Sequence, residues 1–145
     1  MVGVARGIFK ERGIQLQEIA ITGTSEIFQA AQVLTQRGLQ ALWVTGDNTA
    51  FQGFDAIVRA ARDAKLPLII NDPEFVQRGA LIAVGIGWHQ SCGAASKLLA
   101  RVLRGEQPRN IPFEEVAVKK LVLNEEVART LGITFPPDIV QAASR

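Results

Sequence analysis

The sequence predicts a three-layer α/β domain with a doubly wound, mostly parallel sheet. Two observations lead to this fold class. Short apolar runs typical of covered strands recur along the chain, and amphipathic helical segments separate them. Parallel strands need long crossover connections, which helices of this length supply. The length of 145 residues suits one domain, so residues 1–145 are treated as a single α/β unit.

The first three elements are predicted as helix, strand and helix. The opening helix runs to Arg12 and stops at Gly13, because glycine takes the left-handed conformation without strain. Residues 14–20 carry apolar side chains at alternating positions and suit a partly covered strand near a sheet edge. Thr24 or Ser25 can cap the next helix. The apolar face of that helix comprises Ile27, Ala30, Ala31 and Leu34, and Gly38 ends it.

Three further apolar runs are predicted to form buried parallel strands, at residues 39–44, 66–70 and 80–84. The helix between the first two runs is expected to end near Lys65. Its buried face is predicted to comprise Phe54, Ile57, Val58 and Ala61. After the second run, Asn71-Asp72-Pro73 turns the chain, and the proline favours a short helical turn through Gln77.

A long helix from Trp88 to Arg104, closed by Gly105, is the most regular helical pattern of the chain. Its predicted buried face comprises Ala95, Leu98, Leu99 and Val102.

Residues 113–145 depart from this alternation of strands and helices. Positions 116 and 118 share one strand phase and positions 121 and 123 share the other, which predicts a bend at Lys119-Lys120. Asn124 is predicted to cap a short helix that Gly132 stops, and a final short helix follows Pro136-Pro137.

Composition excludes several classes of protein. Apolar residues make up 48% and charged residues 21% of the chain, unlike a disordered protein. The net charge of +2 is spread along the sequence without a basic cluster, so we expect no nucleic-acid partner. No apolar run approaches the roughly 20 residues of a membrane span, and the N-terminus lacks the apolar core of a signal peptide. We therefore expect a soluble chain. The lone Cys92 leaves the redox compartment open.

The candidate ligand site lies in the loops after the strands. In open parallel sheets, ligands bind beyond the carboxyl ends of the strands, where loops lead into helix N-termini. This rule selects residues 22–25, 45–49, 71–72 and 85–88. Asp47 and Asp72 follow successive strands, which predicts two carboxylates at one crevice, suited to an ammonium group or sugar hydroxyls. Asp47, Asn48 and Asp72 are equally the residue types that only cap helices and turns.

Trp88, His89 and Cys92 are further candidates, and each has a structural interpretation beside the functional one. Trp88 and His89 fit an aromatic wall and a polar contact for a ligand, but packing in the core or at the surface suits Trp88 equally well. His89 and Cys92 share a helix face, yet no third orienting residue is identifiable, and together they fall short of a zinc ligand set. Gln90 stands where the dinucleotide fingerprint needs its third glycine. We therefore expect no catalytic site, no metal and no cofactor.

Several longer stretches resemble one protein family. They are LWVTGDNTAF with its Asp47-Asn48-Thr49, then Arg78-Gly79-Ala80-Leu81, then LRGEQP at 103–108 followed by Ile111-Pro112, and finally LGIT at 131–134 with Pro136-Pro137. In this order they are similar to the C-terminal lobe of ABC-importer substrate-binding proteins of the tryptophan/tyrosine or uncharacterised type. The resemblance covers nearly the whole chain.

The resemblance implies a flavodoxin-like lobe of a type I periplasmic binding protein, in which two lobes close about a hinge on a small ligand. The ligand-binding residues that it implies are Asp47, Asn48, Thr49, Asp72 and Trp88. Gly46 stands where a hydroxyl residue is common, and Gly87 where an acidic residue is common. The amino-acid specificity of better known members therefore does not carry over directly.

The resemblance also implies that this chain is a fragment. Family members are about twice as long, with a signal peptide, an N-terminal lobe and a strand before the opening helix, so the first strand of this lobe is expected to be missing. Residues 113–145 match the segment that returns through the hinge and the C-terminal extension.

The function that follows is that of a periplasmic or otherwise extracytoplasmic solute-binding component of an ABC importer. It would bind an amino acid or a similar small polar ligand, work with an ABC permease in the full-length protein, and catalyse no reaction. The alternative is a ligand-sensing regulatory or receptor module of the same fold. Neighbouring permease and ATPase genes would favour transport, and a fused DNA-binding or signalling domain would favour regulation.

The missing strand leads to a prediction about assembly. An absent interior strand leaves unpaired backbone groups beside residues 39–44. Either residues 14–20 pair directly with that strand, or a second copy supplies an element. We expect a homodimer with the N-terminal helix or residues 113–124 at its interface.

Overall fold

The computed structural model describes residues 2–114 and 119–143. The α-helices are α1 (Val2–Glu11), α2 (Ile27–Thr35), α3 (Asn48–Gln52), α4 (Phe54–Asp63), α5 (Trp88–Leu103), α6 (Glu125–Leu131) and α7 (Pro137–Ala142). The strands are β1 (Leu42–Val44), β2 (Leu68–Ile70), β3 (Ile82–Gly85) and β4 (Lys120–Leu123). Turns of 3-10 helix lie at Thr24–Glu26, Pro73–Arg78 and Pro108–Asn110.

The sheet has the order β1-β2-β3-β4. β1, β2 and β3 are parallel, with Leu42 opposite Leu68 and Ile69 opposite Ile82, and β4 runs antiparallel to β3. The helices α3 and α4 connect β1 to β2, and the 3-10 turn Pro73–Arg78 connects β2 to β3. The predicted α/β class with a mostly parallel sheet is confirmed.

The core lies between the sheet and the helices α2 and α4. The side chains of Leu42 and Val44 point to this face of β1 and are buried. The largest fully buried side chains are those of Phe54, Leu68, Ile70 and Val76. Of the predicted α4 face, Val58 alone is only half-buried. The alternation of inward and outward side chains along a strand explains why Trp43 points to the opposite face. There its ring meets Phe9 of α1 edge-on, with centroids 5.5 Å apart.

Helix ends follow the predicted signals at several places. α1 stops before Gly13, which has a φ of 68°, and α6 stops before Gly132, with a φ of 69°. Asn124 caps α6 as predicted, because its Oδ1 accepts a hydrogen bond from the backbone N–H of Val127 at 3.0 Å. Its Nδ2 also donates to the carbonyl of Val76 at 2.9 Å, which ties α6 to the rest of the domain.

The predicted cap at Thr24 or Ser25 is wrong. Residues 24–26 form a 3-10 turn, and no side-chain hydrogen bond caps either that turn or α2. The carboxylate of Glu26 instead accepts hydrogen bonds from Thr22, at 2.9 Å from its backbone N–H and 3.0 Å from its hydroxyl. The acceptor at this helix entrance is therefore a carboxylate inside the turn, and the hydroxyl residues before it do not act as caps.

The predicted strand at residues 14–20 is also wrong. This segment forms no ladder with another strand, and among the described residues β1 pairs only with β2. A strand exists only where a neighbour supplies hydrogen-bond partners, and none lies beside this segment. Ile19, Ala20 and Ile21 line a cavity of about 310 Å³ together with the residues of β1, and Ile21 also packs against the core. Direct pairing of residues 14–20 with β1 is thus not the arrangement that the chain adopts.

The prediction that α5 buries an apolar face is wrong as well. The helix forms with nearly the predicted bounds, but none of its residues is buried. Leu99 is 58% exposed, and Ala95 is also exposed, whereas Leu98 and Val102 are partly covered. The apolar spacing is genuine, but no part of the described chain buries this face of the helix. The first half of the predicted bend, positions 116 and 118, lies outside the described residues, and β4 begins at Lys120.

Within residues 2–114 and 119–143, no helix is both long enough and apolar enough to cross a membrane.

Candidate functional site

Three of the four predicted loops follow the carboxyl ends of parallel strands. β1 leads into α3, β2 into the turn Pro73–Arg78, and β3 into α5. Since the three strands are parallel neighbours, their loops meet at one edge of the sheet. The fourth loop, residues 22–25, precedes α2 but does not follow a strand, because residues 14–20 form none.

Asp47 follows β1 and is the N-cap residue of α3. Its Oδ1 accepts a hydrogen bond from the backbone N–H of Ala50 at 2.9 Å. In the described part of the chain no hydrogen bond reaches its Oδ2. The side chain is exposed and lines the 310 Å³ cavity beside β1. The carboxylate therefore caps a helix and leaves its Oδ2 without a hydrogen-bond partner among the described residues.

Asp72 has the same arrangement after the neighbouring strand β2. Its Oδ1 accepts from the backbone N–H of Glu74 at 3.0 Å, which starts the turn Pro73–Arg78. No hydrogen bond to its Oδ2 occurs among the described residues. The capping interpretation of Asp47 and Asp72 is thus correct, and it leaves half of each carboxylate open to a ligand. A ligand role for the two remains a prediction.

Asn48 and Thr49 form the first turn of α3. Asn48 is exposed and Thr49 is half-buried. Neither caps a helix, so the capping interpretation does not extend to Asn48. Both residues lie directly after Asp47, at the end of the helix where backbone N–H groups lack helical acceptors.

Trp88 begins α5 at the end of the β3 loop, with 63% of its surface exposed. Val84 and Ile86 in the same region are 47% and 40% exposed. Among the residues that the structure describes, Trp88 is therefore not packed in a core. An exposed aromatic ring at the same sheet edge as two carboxylates is consistent with an aromatic wall, and a ligand contact remains a prediction.

His89 and Cys92 do not line a common cavity. His89 lines a separate cavity of about 290 Å³ together with Glu74, Gln90 and Lys120, and Cys92 does not line it. Both side chains are exposed. In the part of the chain that the structure describes, no group of three or more His, Cys, Asp or Glu residues is placed to hold a metal ion.

Asn71 and Gly85 lie in two of the predicted loops but were not predicted to contact a ligand, and they shape this edge. The indole Nε1 of Trp43 donates to Asn71 Oδ1 at 2.7 Å, which ties the end of β2 to β1. A Cβ on Gly85 would lie 1.7 Å from the carbonyl oxygen of Asn71, so only glycine fits there. The sequence shows a glycine at position 85, before the predicted helix. It does not show that the carbonyl of Asn71 lies against that glycine, because the two residues are distant in the sequence.

Glu26 gives a prediction about pH at the entrance to α2. Two hydrogen bonds from Thr22 lower the pKa of its carboxyl below the ordinary value of 4.5. The bond from the backbone N–H has the larger effect, and the bond from the hydroxyl has the smaller one. Protonation of Glu26 therefore favours the unfolded chain. The ionised carboxylate stabilises the folded chain above pH 4.5, and this stabilisation is lost as the pH falls through the lower pKa of the folded state. We expect Glu26→Gln to melt below the wild type at pH 7, with a gap that narrows below pH 4.5. Thermal melts of both proteins from neutral to acidic pH test this, and a gap that is independent of pH would contradict it.

Comparison with known proteins identifies the family. A sequence profile of the family described as ABC transporter substrate binding protein matches residues 2–145. The chain is 26% identical over 124 residues to a tyrosine-binding protein of Clostridioides difficile strain R20291, and the match covers 86% of this chain but 36% of that protein.

Solved structures agree with this match. An ABC domain from Streptococcus pneumonia in complex with L-Trp superposes with a TM-score of 0.89 at 29% identity, over 99% of this chain and 48% of that one. A conserved domain protein from Vibrio cholerae gives the same TM-score and coverage at 24% identity, which supports the fold alone. The chain thus spans about half the length of these structures. It belongs to the family of ABC transporter substrate binding proteins.

Proposed function

We propose that this chain is the C-terminal lobe of a solute-binding component of an ABC importer. In this proposal the carboxyl edge of β1, β2 and β3 forms one wall of a cleft, and a second lobe closes on the ligand from the other side. The observation that carries it is the placement of Asp47, Asp72 and Trp88 on the same sheet edge, each carboxylate with an oxygen that no described residue occupies.

The ligand class is an amino acid, with an aromatic side chain favoured. A carboxylate oxygen is an acceptor for a ligand ammonium group, and such charge-assisted hydrogen bonds are stronger than neutral ones. The exposed ring of Trp88 offers an apolar face to an aromatic side chain. Relatives described as tyrosine-binding and as an L-Trp complex support the same class.

The remaining parts of the proposal follow from the family. Its members serve ABC transporters, so an ABC permease is the expected protein partner, and the family is typically extracytoplasmic. Binding and release of the ligand, without a chemical step, are the whole of the proposed activity. The homodimer predicted from the sequence is kept as a proposal, because β1 has an unpaired edge within the described sheet.

Asp47→Asn tests the proposed role of the carboxylate. Asparagine caps helices about as well as aspartate, so the capping bond to Ala50 is retained while the charge is removed. In a two-lobed protein that carries this chain, we expect binding of L-tryptophan or L-tyrosine to weaken by about 1.5–3 kcal/mol, the scale of a hydrogen bond to a charged group. Calorimetric titration measures the change.

Asp63→Asn is the matched control, since Asp63 is an exposed carboxylate at the far end of α4. It should leave the affinity unchanged. Equal affinities of the wild type and Asp47→Asn would reduce Asp47 to a helix cap. Asp47→Ala is less informative, because loss of the cap alone costs about 0.5–2 kcal/mol of stability.

A further inference from the structure

The loops at the carboxyl edge of the sheet contain negative charge without a cation. Residues 45–49, 71–72 and 85–88 include the carboxylates of Asp47 and Asp72 but no lysine or arginine. An amino acid is a zwitterion, so a site that binds it must accommodate its carboxylate as well as its ammonium group. Two protein carboxylates repel the ligand carboxylate, and an enclosed carboxylate without a partner is costly. A ligand of this class therefore requires a cation from another segment.

The strand register brings one lysine to this edge. β4 runs antiparallel to β3, and Lys120, the first residue of β4, lies opposite Gly85 at the carboxyl end of β3. Lys120 is half-buried and lines the cavity of about 290 Å³ that His89 also lines. The pairing of β3 with β4 thus supplies the cation that the loops lack.

Lys120 has no carboxylate partner among residues 2–114 and 119–143. None of the ion pairs in that part of the chain includes it. Glu74 lines the same cavity, but it is exposed and forms no ion pair with the lysine. An interaction between a partly buried charge and an incoming anion is screened less than one at the open surface. The ammonium group is therefore available to an anionic group of a ligand.

Gly87 leaves space beside Lys120. A Cβ at this position would lie 3.9 Å from Cδ of Lys120 and 2.5 Å from Oε1 of Gln90. The ammonium group is one methylene beyond that Cδ, so an acidic side chain at position 87 would be within its reach. Glycine leaves this place to a ligand group. Gln90 and His89, which line the same cavity, offer further N–H donors to a carboxylate.

The cavity adjoins the proposed ammonium site. Asp72 directly precedes Pro73 and Glu74, which line the cavity, and no described residue donates a hydrogen bond to its Oδ2. In an amino acid one carbon atom separates the ammonium group from the carboxylate. The two groups therefore need neighbouring sites of opposite charge, as Asp72 and Lys120 provide.

We infer that Lys120 binds the carboxylate of an amino-acid ligand whose ammonium group is bound at Asp72. This inference rests on the proposed function and narrows its ligand class. A good ligand must have both a free carboxylate and an ammonium group, so the corresponding amines bind much more weakly.

Lys120→Met tests the inference in a two-lobed protein that contains this chain. Methionine keeps an unbranched apolar side chain and removes the charge. We expect the affinity for L-tryptophan to fall about tenfold to a hundredfold, the scale of one hydrogen bond to a charged group. The affinity for tryptamine, which has the ammonium group and the indole ring but no carboxylate, should not change. Calorimetric titration with each ligand measures both affinities.

Lys119→Met is the matched control for this variant. Lys119 is the neighbouring lysine, is exposed, and does not line the cavity. Its replacement should leave the affinities for L-tryptophan and tryptamine unchanged.

Gly87→Asp and Gly87→Asn give an independent test. The backbone of Gly87, with φ −68° and ψ 151°, suits either side chain, and the two differ in charge at nearly equal size. The aspartate puts a carboxylate beside Lys120, in the position that the ligand carboxylate would occupy. We expect Gly87→Asp to bind L-tryptophan at least about tenfold more weakly than Gly87→Asn, without a loss of tryptamine affinity. Equal affinities of the two variants for L-tryptophan would contradict the inference.

The outcomes for Lys120→Met separate this inference from the proposed function. If the wild type binds neither L-tryptophan nor L-tyrosine, the proposed ligand class fails and the inference fails with it. If the wild type and Lys120→Met bind L-tryptophan equally well, only the inference is overturned, and the ligand carboxylate belongs to the second lobe. Equal losses of affinity for L-tryptophan and tryptamine would give Lys120 a structural role and would also overturn the inference.

Discussion

Phe54→Ala is expected to lower the free energy of unfolding by about 3–5 kcal/mol, the usual range when a buried phenylalanine is truncated. Phe54 is completely buried at the start of α4. Its ring meets Phe75 edge-on with centroids 4.7 Å apart, and the guanidinium of Arg78 lies over it at 5.4 Å. Removal of the ring leaves a cavity between α4 and the turn Pro73–Arg78, because these neighbours are held by their own contacts.

Phe113→Ala is the matched control for that experiment. It removes the same side chain from a position that is fully exposed to solvent in the single chain. At a protein concentration low enough to keep the chain monomeric, the free energy of unfolding should therefore change by no more than about 0.5 kcal/mol. Urea denaturation followed by circular dichroism measures both variants. Similar losses for the two variants would contradict the placement of the core around Phe54.

Gly85→Ala is the second change with a large expected effect. The added Cβ would lie 1.7 Å from the carbonyl oxygen of Asn71, so the backbone at the ends of β2 and β3 must separate. Forcing an extra group into a packed site typically costs about 1–3 kcal/mol, and a clash with backbone belongs to the upper part of that range. Movement of Asn71 also disturbs its 2.7 Å hydrogen bond to Trp43. We expect lower stability in urea and a changed tryptophan emission.

Gly93→Ala separates this clash from a general effect of replacing glycine. Nothing lies within 4 Å of a Cβ at Gly93, which stands in the interior of α5. Alanine favours the helix over glycine there by about 0.5–1 kcal/mol. The two Gly→Ala variants should therefore shift the urea midpoint in opposite directions. A neutral Gly85→Ala would contradict the close approach of β2 and β3 at this edge.

Local signals in the sequence predicted the features that depend on local chemistry. Helices α1 and α6 end near Gly13 and Gly132 because glycine can adopt a positive φ. The cap of α6 depends only on the side chain of Asn124 and the backbone N–H of Val127 in the following turn. The apolar runs that became β2 and β3 were recognised as strands. The burial expected of them holds on one face only, because Leu68, Ile70 and Ala83 are buried whereas Val84 is 47% exposed.

Features that depend on distant partners were not predicted correctly. Residues 14–20 have the pattern of an edge strand, but a strand needs a neighbour, and among the described residues no strand pairs with this segment. α5 has a correct helical period, but the period does not say which surface covers it. In both cases the sequence shows a face that can be buried, and only the fold shows whether this chain buries it.

The candidate site divides in the same way. Asp47, Asp72 and Trp88 could be assigned to the carboxyl edge because strand order and loop position determine that edge. The bond between Trp43 and Asn71, and the glycine requirement at position 85, could not be predicted. Both features arise from contacts between neighbouring strands. Trp43 and Asn71, for example, are 28 residues apart in the sequence, so no local sequence pattern indicates their hydrogen bond.

The central claim, that this chain is one wall of a two-lobed ligand site, is tested most directly by comparing ligand binding to the chain alone with binding to the two-lobed protein. Calorimetric titration of L-tryptophan and L-tyrosine into both should give tight binding only to the two-lobed protein. A single wall cannot bury most of a ligand's surface, as small-molecule sites normally do, so the 145-residue chain should bind no tighter than about 1 mM. Micromolar binding to the chain alone, or equal affinities for the two proteins, would contradict the claim.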